Sequence, residues 1–356
     1  MYYVGLDVHK AYCMTAVLDE QGQLIDRCRL ASEPVTLQQY FHRFEQPTQV
    51  ALEACYNWGY FFDILQDCVD ELVLAHPLKT RLIAEARIKT DAIDARVLAE
   101  LLRAKLLPVA YAPEAATRQV KNFLRYRAGL AMLDTQVKNK LHALLDQHNY
   151  PQRTAVNRLT DLFGKQGLAL LRTIQLPGTE QLVLESWLRT HEQLVKELRQ
   201  ANTWIRARVK QDQWAQLLMT IPGIGHQFAL LVRYEIDRIE RFASAKKLVG
   251  YIGLAPSTWS SGGHTRHGAI TKQGNKWLRW ALVEAAQMAP RTSPYFAEYY
   301  QRIKQRAGFA CARVATARKL AEVIYGVLKT QTQYYEPMSG PSPLLGSNRT
   351  TAATLA

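Results

Sequence analysis

Cysteine is scarce in this chain, and the five present (Cys13, Cys28, Cys55, Cys68 and Cys311) form no CxxC pair. So odd and scattered a set excludes a disulfide framework and a thiolate zinc site, and it fits a reducing cytoplasm. Long apolar runs are also missing. No stretch approaches the ~18 residues of a membrane span, and Asp7 and His9 interrupt any apolar start, so neither a span nor a signal peptide is expected. Acids are short in one part of the chain only. Residues 1–100 hold 15 Asp and Glu against 9 Lys and Arg, whereas the remaining 256 residues hold 16 against 36, giving the net charge of +14. An acidic start joined to a basic remainder suggests a cation site attached to a polyanion-binding surface.

The acidic part contains carboxylates in unexpected places. Asp7 sits inside the apolar run Tyr2-Tyr3-Val4-Gly5-Leu6-Asp7-Val8, and Glu53 ends Val50-Ala51-Leu52-Glu53. A carboxylate within a buried strand is costly unless it is paired, and a metal ion is the usual partner. Asp91 and Asp94, three apart where a helical pattern begins, project from one helical face. Four carboxylates without a His or Cys ligand set favour hard divalent cations, Mg²⁺ or Mn²⁺, and two such ions would suit phosphoryl transfer. Asp94 and Thr90-Asp91 also suit an ordinary helix start, as dipole charge and cap.

Residues 2–8, 12–18 and 24–30 read as strands, followed by a helix near 36–45 and a strand ending at Glu53. A helix containing Trp58, Phe61, Phe62 and Leu65 then precedes a strand over 71–75. Three meandering strands followed by alternating α and β is the order of a ribonuclease-H-like, or RuvC-like, domain. In that fold acids converge from the first strand, the fourth strand and a late helix. The expected organisation is this α/β domain over 1–110, a helical coiled-coil region over 111–211, a mainly helical C-terminal domain over 212–336, and a disordered tail over 337–356. In the middle region Leu184, Leu188, His191, Val195, Leu198, Asn202, Ile205 and Val209 alternate steps of 4 and 3. That is a heptad seam, with Asn202 at a register-setting position, read here as a dimerisation surface.

The C-terminal part opens with Ile221-Pro222-Gly223-Ile224-Gly225-His226, the pattern of a helix-hairpin-helix turn. Gly223 and Gly225 would let backbone N–H groups approach phosphate. A Ser- and Gly-rich stretch over 253–279 then interleaves Arg266, Lys272, Asn275, Lys276 and Arg279, a cationic loop suited to a phosphate backbone. One of its serines could be a nucleophile. Composition leaves Ser257, Ser260 and Ser261 equal. Aromatics and cations alternate again over 279–335, a pattern that could serve RNA or splayed DNA.

Several motifs occur together and in order. They are Gly5-Leu6-Asp7-Val8-His9-Lys10, Leu52-Glu53-Ala54, Lys89-Thr90-Asp91-Ala92-Ile93-Asp94-Ala95, Ile221-Pro222-Gly223-Ile224-Gly225, Gly253-Leu254-Ala255-Pro256, Ser261-Gly262-Gly263 and Ile270-Thr271-Lys272-Gln273-Gly274-Asn275. Jointly these resemble the DEDD transposases of the IS110 family, insertion-sequence recombinases related to Piv-type DNA invertases. The resemblance implies that Asp7, Glu53, Asp91 and Asp94 are catalytic metal ligands. It implies that Ser261 attacks DNA to form a phosphoserine intermediate. The partners it implies are double-stranded target and donor DNA, a structured non-coding guide RNA and further copies of the chain, as dimer or tetramer, at the bacterial nucleoid. Two other readings compete: a RuvC-like nuclease that hydrolyses branched DNA, and a non-catalytic nucleic-acid scaffold.

Overall fold

The computed structural model describes residues 1–84, 90–148, 159, 161–261 and 264–337. Lys89, Gly262, Gly263 and the tail from 338 therefore lie outside the described residues. The chain forms two compact units, Met1–Arg118 and Gln119–Ala356.

The first unit is built on a five-stranded sheet of β1 (Tyr2–Val8), β2 (Tyr12–Leu18), β3 (Leu24–Ala31), β4 (Thr48–Glu53) and β5 (Glu71–Ala75), in the order β3-β2-β1-β4-β5. β1 runs antiparallel to β2 and parallel to β4, and β5 continues the parallel half. Central strands covered on both faces are apolar on both, as β1 and β4 are, whereas the edge strand β3 is largely exposed. One face is covered by α1 (Pro34–His42) and α2 (Trp58–Leu65), which bring Leu37, Phe41, Phe61 and Leu65 onto Val4, Leu6, Val50 and Leu52. α3 (Pro77–Ile83) follows β5. The other face is covered by α4 (Asp91–Arg103), whose Leu98, Leu101 and Leu102 meet Ala51, Val73 and Ala75.

The second unit opens with two long helices, α5 (Ala115–Gln147) and α7 (Thr179–Gln211), with α6 (Lys165–Thr173) between them. α5 and α7 lie antiparallel. Arg127 Nε donates to Asn202 Oδ1 at 3.0 Å in a half-buried contact, and His191 Nδ1 lies 2.6 Å from Asp134 Oδ1, buried. Further along, Val137, Leu141, Leu144 and Leu145 share a core with Leu184 and Leu188. Along the heptad seam of α7, Leu184, Leu188, His191 and Asn202 thus meet α5 of the same chain, and Asn202 accepts from an internal arginine.

Leu124, Ile205 and Val209 continue into the core formed by α8 (Gln213–Leu218), α9 (His226–Ile236), α10 (Ala245–Ile252), α11 (Lys276–Thr292) and α12 (Pro294–Thr330). The stretch expected to be a loop is an antiparallel hairpin of β6 (Pro256–Ser261) and β7 (His264–Ile270). Polar, Gly-interrupted strands carry no apolar alternation, which is why the pairing was not visible in the pattern.

Candidate active site

Asp7 and Glu53 are brought together by strand register. Leu6 pairs with Leu52 across the parallel β1–β4 ladder, so the next residues, Asp7 and Glu53, point to the same face of the sheet. That face is the one α4 covers. Thr90 caps α4, its hydroxyl accepting from Ile93 N at 3.3 Å, and sets Asp91 and Asp94 in the first turn. Gly5 allows the helix to lie directly on β1. A Cβ there would stand 1.8 Å from the Ala95 carbonyl oxygen and 2.7 Å from Ala99 N.

The result is a small, tightly coupled cluster. His9 Nε2 lies 3.1 Å from Asp7 Oδ2 and 3.3 Å from Asp91 Oδ2, bridging two of the carboxylates. Tyr12 OH donates to Asp91 Oδ2 at 2.8 Å. The Tyr12 ring lies beside the His9 ring at 4.7 Å, and the Arg29 guanidinium sits 3.8 Å from its centroid. Asp7 is only 15% exposed. Burial raises its pKa, His9 opposes that shift, and the charges of Asp91 and Asp94 add to it. Asp91 is shifted the other way, chiefly by the Tyr12 hydrogen bond and also by His9, while the Tyr12 hydroxyl is held up by the same carboxylate.

One atom each from Asp7, His9 and Asp91 fall within 4.8 Å of one another, a spacing that could hold a cation. A buried acid disfavoured by its own neighbours gains most from such an ion, so the donor set fits a divalent metal. His9, which stands in the first of the quoted motifs, and Tyr12, which no motif contains, join the acids at this site. The usable signal was position: each flanks the tight turn joining β1 to β2, beside Asp7.

The candidate polyanion contacts of the second unit divide into two groups. Arg266, Lys272 and Lys276 are exposed. Asn275 instead caps α11, its Oδ1 accepting from Trp277 N at 3.0 Å and Leu278 N at 3.1 Å, and its Nδ2 donates to Glu235 Oε2 at 2.8 Å. Glu235 is wholly buried; Arg125 holds it through Nε at 2.6 Å and Nη2 at 2.9 Å, with Lys121 at 3.4 Å. Arg279 donates to the Ile252 carbonyl at 2.9 Å, closing the end of α10. The two hairpin glycines differ similarly. Gly223, at φ +83°, abuts α11, where a Cβ would stand 2.5 Å from the Ala285 carbonyl oxygen, whereas Gly225 faces open space before α9. Ser261 ends β6, exposed; side-chain alternation turns it to the opposite face from Ser260.

Comparison with known proteins bears on both units. Residues 4–150 match the DEDD transposase model of the IS110 group, and residues 215–301 match the "Transposase IS116/IS110/IS902 family". A probable family 20 transposase of Pseudomonas aeruginosa is 24% identical over 348 residues, covering 93% of this chain and 98% of that protein. The transposase of insertion sequence element IS1328 from Yersinia enterocolitica is 23% identical, covering 92% and 96%. The pilin gene-inverting protein of Moraxella bovis is 34% identical over 118 residues, 32% of this chain and 37% of its own. Among the described residues no helix is long and apolar enough to cross a membrane. With both family segments present in one chain and acidic groups clustered at the end of β1, this protein belongs to the IS110-family DEDD transposases, enzymes of insertion sequences that cut and rejoin DNA.

Proposed function

We propose that the chain is an RNA-guided recombinase that breaks double-stranded DNA through a serine ester and reseals it at a new partner. The first unit would be the ribonuclease-H-like half. Its strand order, β3-β2-β1-β4-β5, supports that assignment. The observation that carries the reading is the cluster of Asp7, Asp91 and His9 beneath α4, with Asp94 close enough to disturb Asp7. Asp7, Glu53, Asp91 and Asp94 would hold a divalent cation, Mg²⁺ or Mn²⁺ and two such ions at full loading, which when bound would neutralise charge at the scissile phosphate.

In the proposed step the Ser261 Oγ forms a bond to phosphorus as the bond from phosphorus to one deoxyribose oxygen breaks. The serine proton passes to solvent and the departing sugar oxygen takes up a proton. The phosphodiester energy is kept in the ester, so a second strand's hydroxyl can reverse the step. Exposure of Ser261 at the end of β6 suits that role. Base pairing by a structured RNA would choose the sequence, leaving the protein to hold backbones, as its basic second part suits. More than one copy would act.

The test is to incubate the protein with labelled DNA, Mg²⁺ and the structured RNA transcribed beside its gene, denature, and look for a protein–DNA adduct. It is expected with wild type and Ser260→Ala, and absent with Ser261→Ala and Asp7→Ala. Free hydrolysed ends without an adduct, or an adduct that persists in Ser261→Ala, would replace this reading with the hydrolytic one.

A further inference from the structure

α12 cannot be one straight rod. In a continuous helix Tyr295 and Lys319 would stand ~36 Å apart, yet Lys319 reaches both Tyr295 and Glu322. The break is at Gly308, with φ +82° and ψ 173°, and across it the rings of Tyr300 and Phe309 meet edge to face at 6.3 Å. The helix therefore folds back on itself as a hairpin with its bend at Gly308. Residues 304–311 are exposed without interruption, so the bend projects from the unit.

Charge on this projection is of one sign. Residues 299–321 contain six Lys and Arg and no Asp or Glu. Elsewhere exposed helical cations face carboxylates one turn away, as in Arg96–Glu100 and Arg189–Glu185, and at the base of the hairpin Arg318 and Lys319 face Glu322. Among the described residues, Arg302, Lys304, Arg306 and Arg313 form no such ion pair; Arg302 and Arg313 rest against the rings of Tyr299 and Phe309, each at 5.5 Å. A solubilising surface intersperses both signs. This one concentrates a single sign on a projecting bend.

We infer that the folded-back hairpin of α12 is a binding prong for double-helical DNA, its Arg302, Lys304 and Arg306 on backbone phosphates. Two helices side by side are ~20 Å across, too wide to enter either a major groove of about 12 Å or a minor groove of about 6 Å, so the prong grips backbone and does not read bases. Binding through it is sequence-independent. The inference rests on the reading of the chain as a DNA recombinase, and adds to it a contact outside both the acidic cluster and the serine hairpin.

The experiment measures affinity of the full-length protein for a duplex of about 40 base pairs across a salt series. Each phosphate contact contributes ~0.9 to the slope of log affinity against log salt. The triple variant Arg302→Gln, Lys304→Gln, Arg306→Gln is expected to lower that slope by about 2 to 3, equally for unrelated sequences. A control triple of equal charge on exposed positions of α7, Lys196→Gln, Arg199→Gln, Arg206→Gln, is expected to leave the slope near wild type. Equal losses from both triples would reduce the effect to net charge and overturn the inference. So would a loss confined to structured RNA with duplex DNA binding unchanged. The salt series is run without Mg²⁺, where no strand is cut, so a failure of the cleavage mechanism remains distinguishable from a failure of the prong.

Discussion

Gly5→Ala is the smallest change that should separate α4 from β1. The added methyl carbon would lie 1.8 Å from the Ala95 carbonyl oxygen, 2.7 Å from Ala99 N and 2.9 Å from the Ala95 carbonyl carbon. All three are backbone atoms, so no side-chain rotation relieves the clash. The helix must retreat by about 1 Å or more, and overpacking on this scale costs ~1–3 kcal/mol. At a urea slope of about 1–3 kcal/mol per molar, the unfolding midpoint should fall by roughly 1 M. Because Asp91 and Asp94 stand in the first turn of the same helix, the retreat carries them from Asp7 and lengthens the 3.3 Å contact between His9 and Asp91. A displacement of ~1 Å at a reacting centre costs about 100-fold in rate. The assays are urea unfolding, Mn²⁺ titration by calorimetry, and strand cleavage. Wild-type values in all three would show that α4 does not depend on the missing side chain at residue 5, and the account of how the carboxylates are gathered would fail.

Two further expectations follow from particular hydrogen bonds. Tyr12→Phe removes the donor to Asp91 and should weaken Mn²⁺ binding by ~10- to 100-fold, the usual effect of deleting a partner of a metal ligand; unchanged affinity would remove Tyr12 from the site. Glu235→Gln leaves Arg125 and Lys121 without their buried carboxylate and should cost about 3–5 kcal/mol at neutral pH. Burial alone would raise the Glu235 pKa, but Arg125, Lys121 and Asn275 outweigh it and hold it below the ordinary 4.5. A depressed carboxylate stabilises the fold above its unfolded pKa and loses that contribution as pH falls through the folded value. The gap between wild type and variant should therefore narrow below pH 4.5; a gap of constant size in urea melts at pH 7 and in acid would contradict the assignment.

Much of the first unit was legible in the residues themselves. Period-two and continuous apolar runs placed all five strands, because each is bounded by turn residues, and Asp7 stood out as a charge where burial was expected. What escaped was direction. Asn275 and Arg279 have the chemistry of phosphate ligands, but one caps a helix while bonding Glu235 and the other closes α10, and residue type does not reveal which way a donor points. The heptad of α7 was ambiguous for a related reason. Periodicity declares that a seam will be covered and is silent on whose helix covers it, here α5. Tyr12 was passed over because its value lies in a contact with Asp91, some eighty positions away.

The Glu235 contact joins parts of the chain that leave the ribosome at very different moments. Arg125 precedes it by 110 residues and Asn275 follows it by 40. At ordinary elongation rates roughly ten to thirty seconds pass between the first and last of these. For the first 110 residues of that interval two cations wait without their acid, and for the last 40 the acid waits without its amide. Closure of the second unit is thus a late event in biosynthesis, and copies truncated before α11 should persist as open, protease-sensitive helices instead of a working fragment.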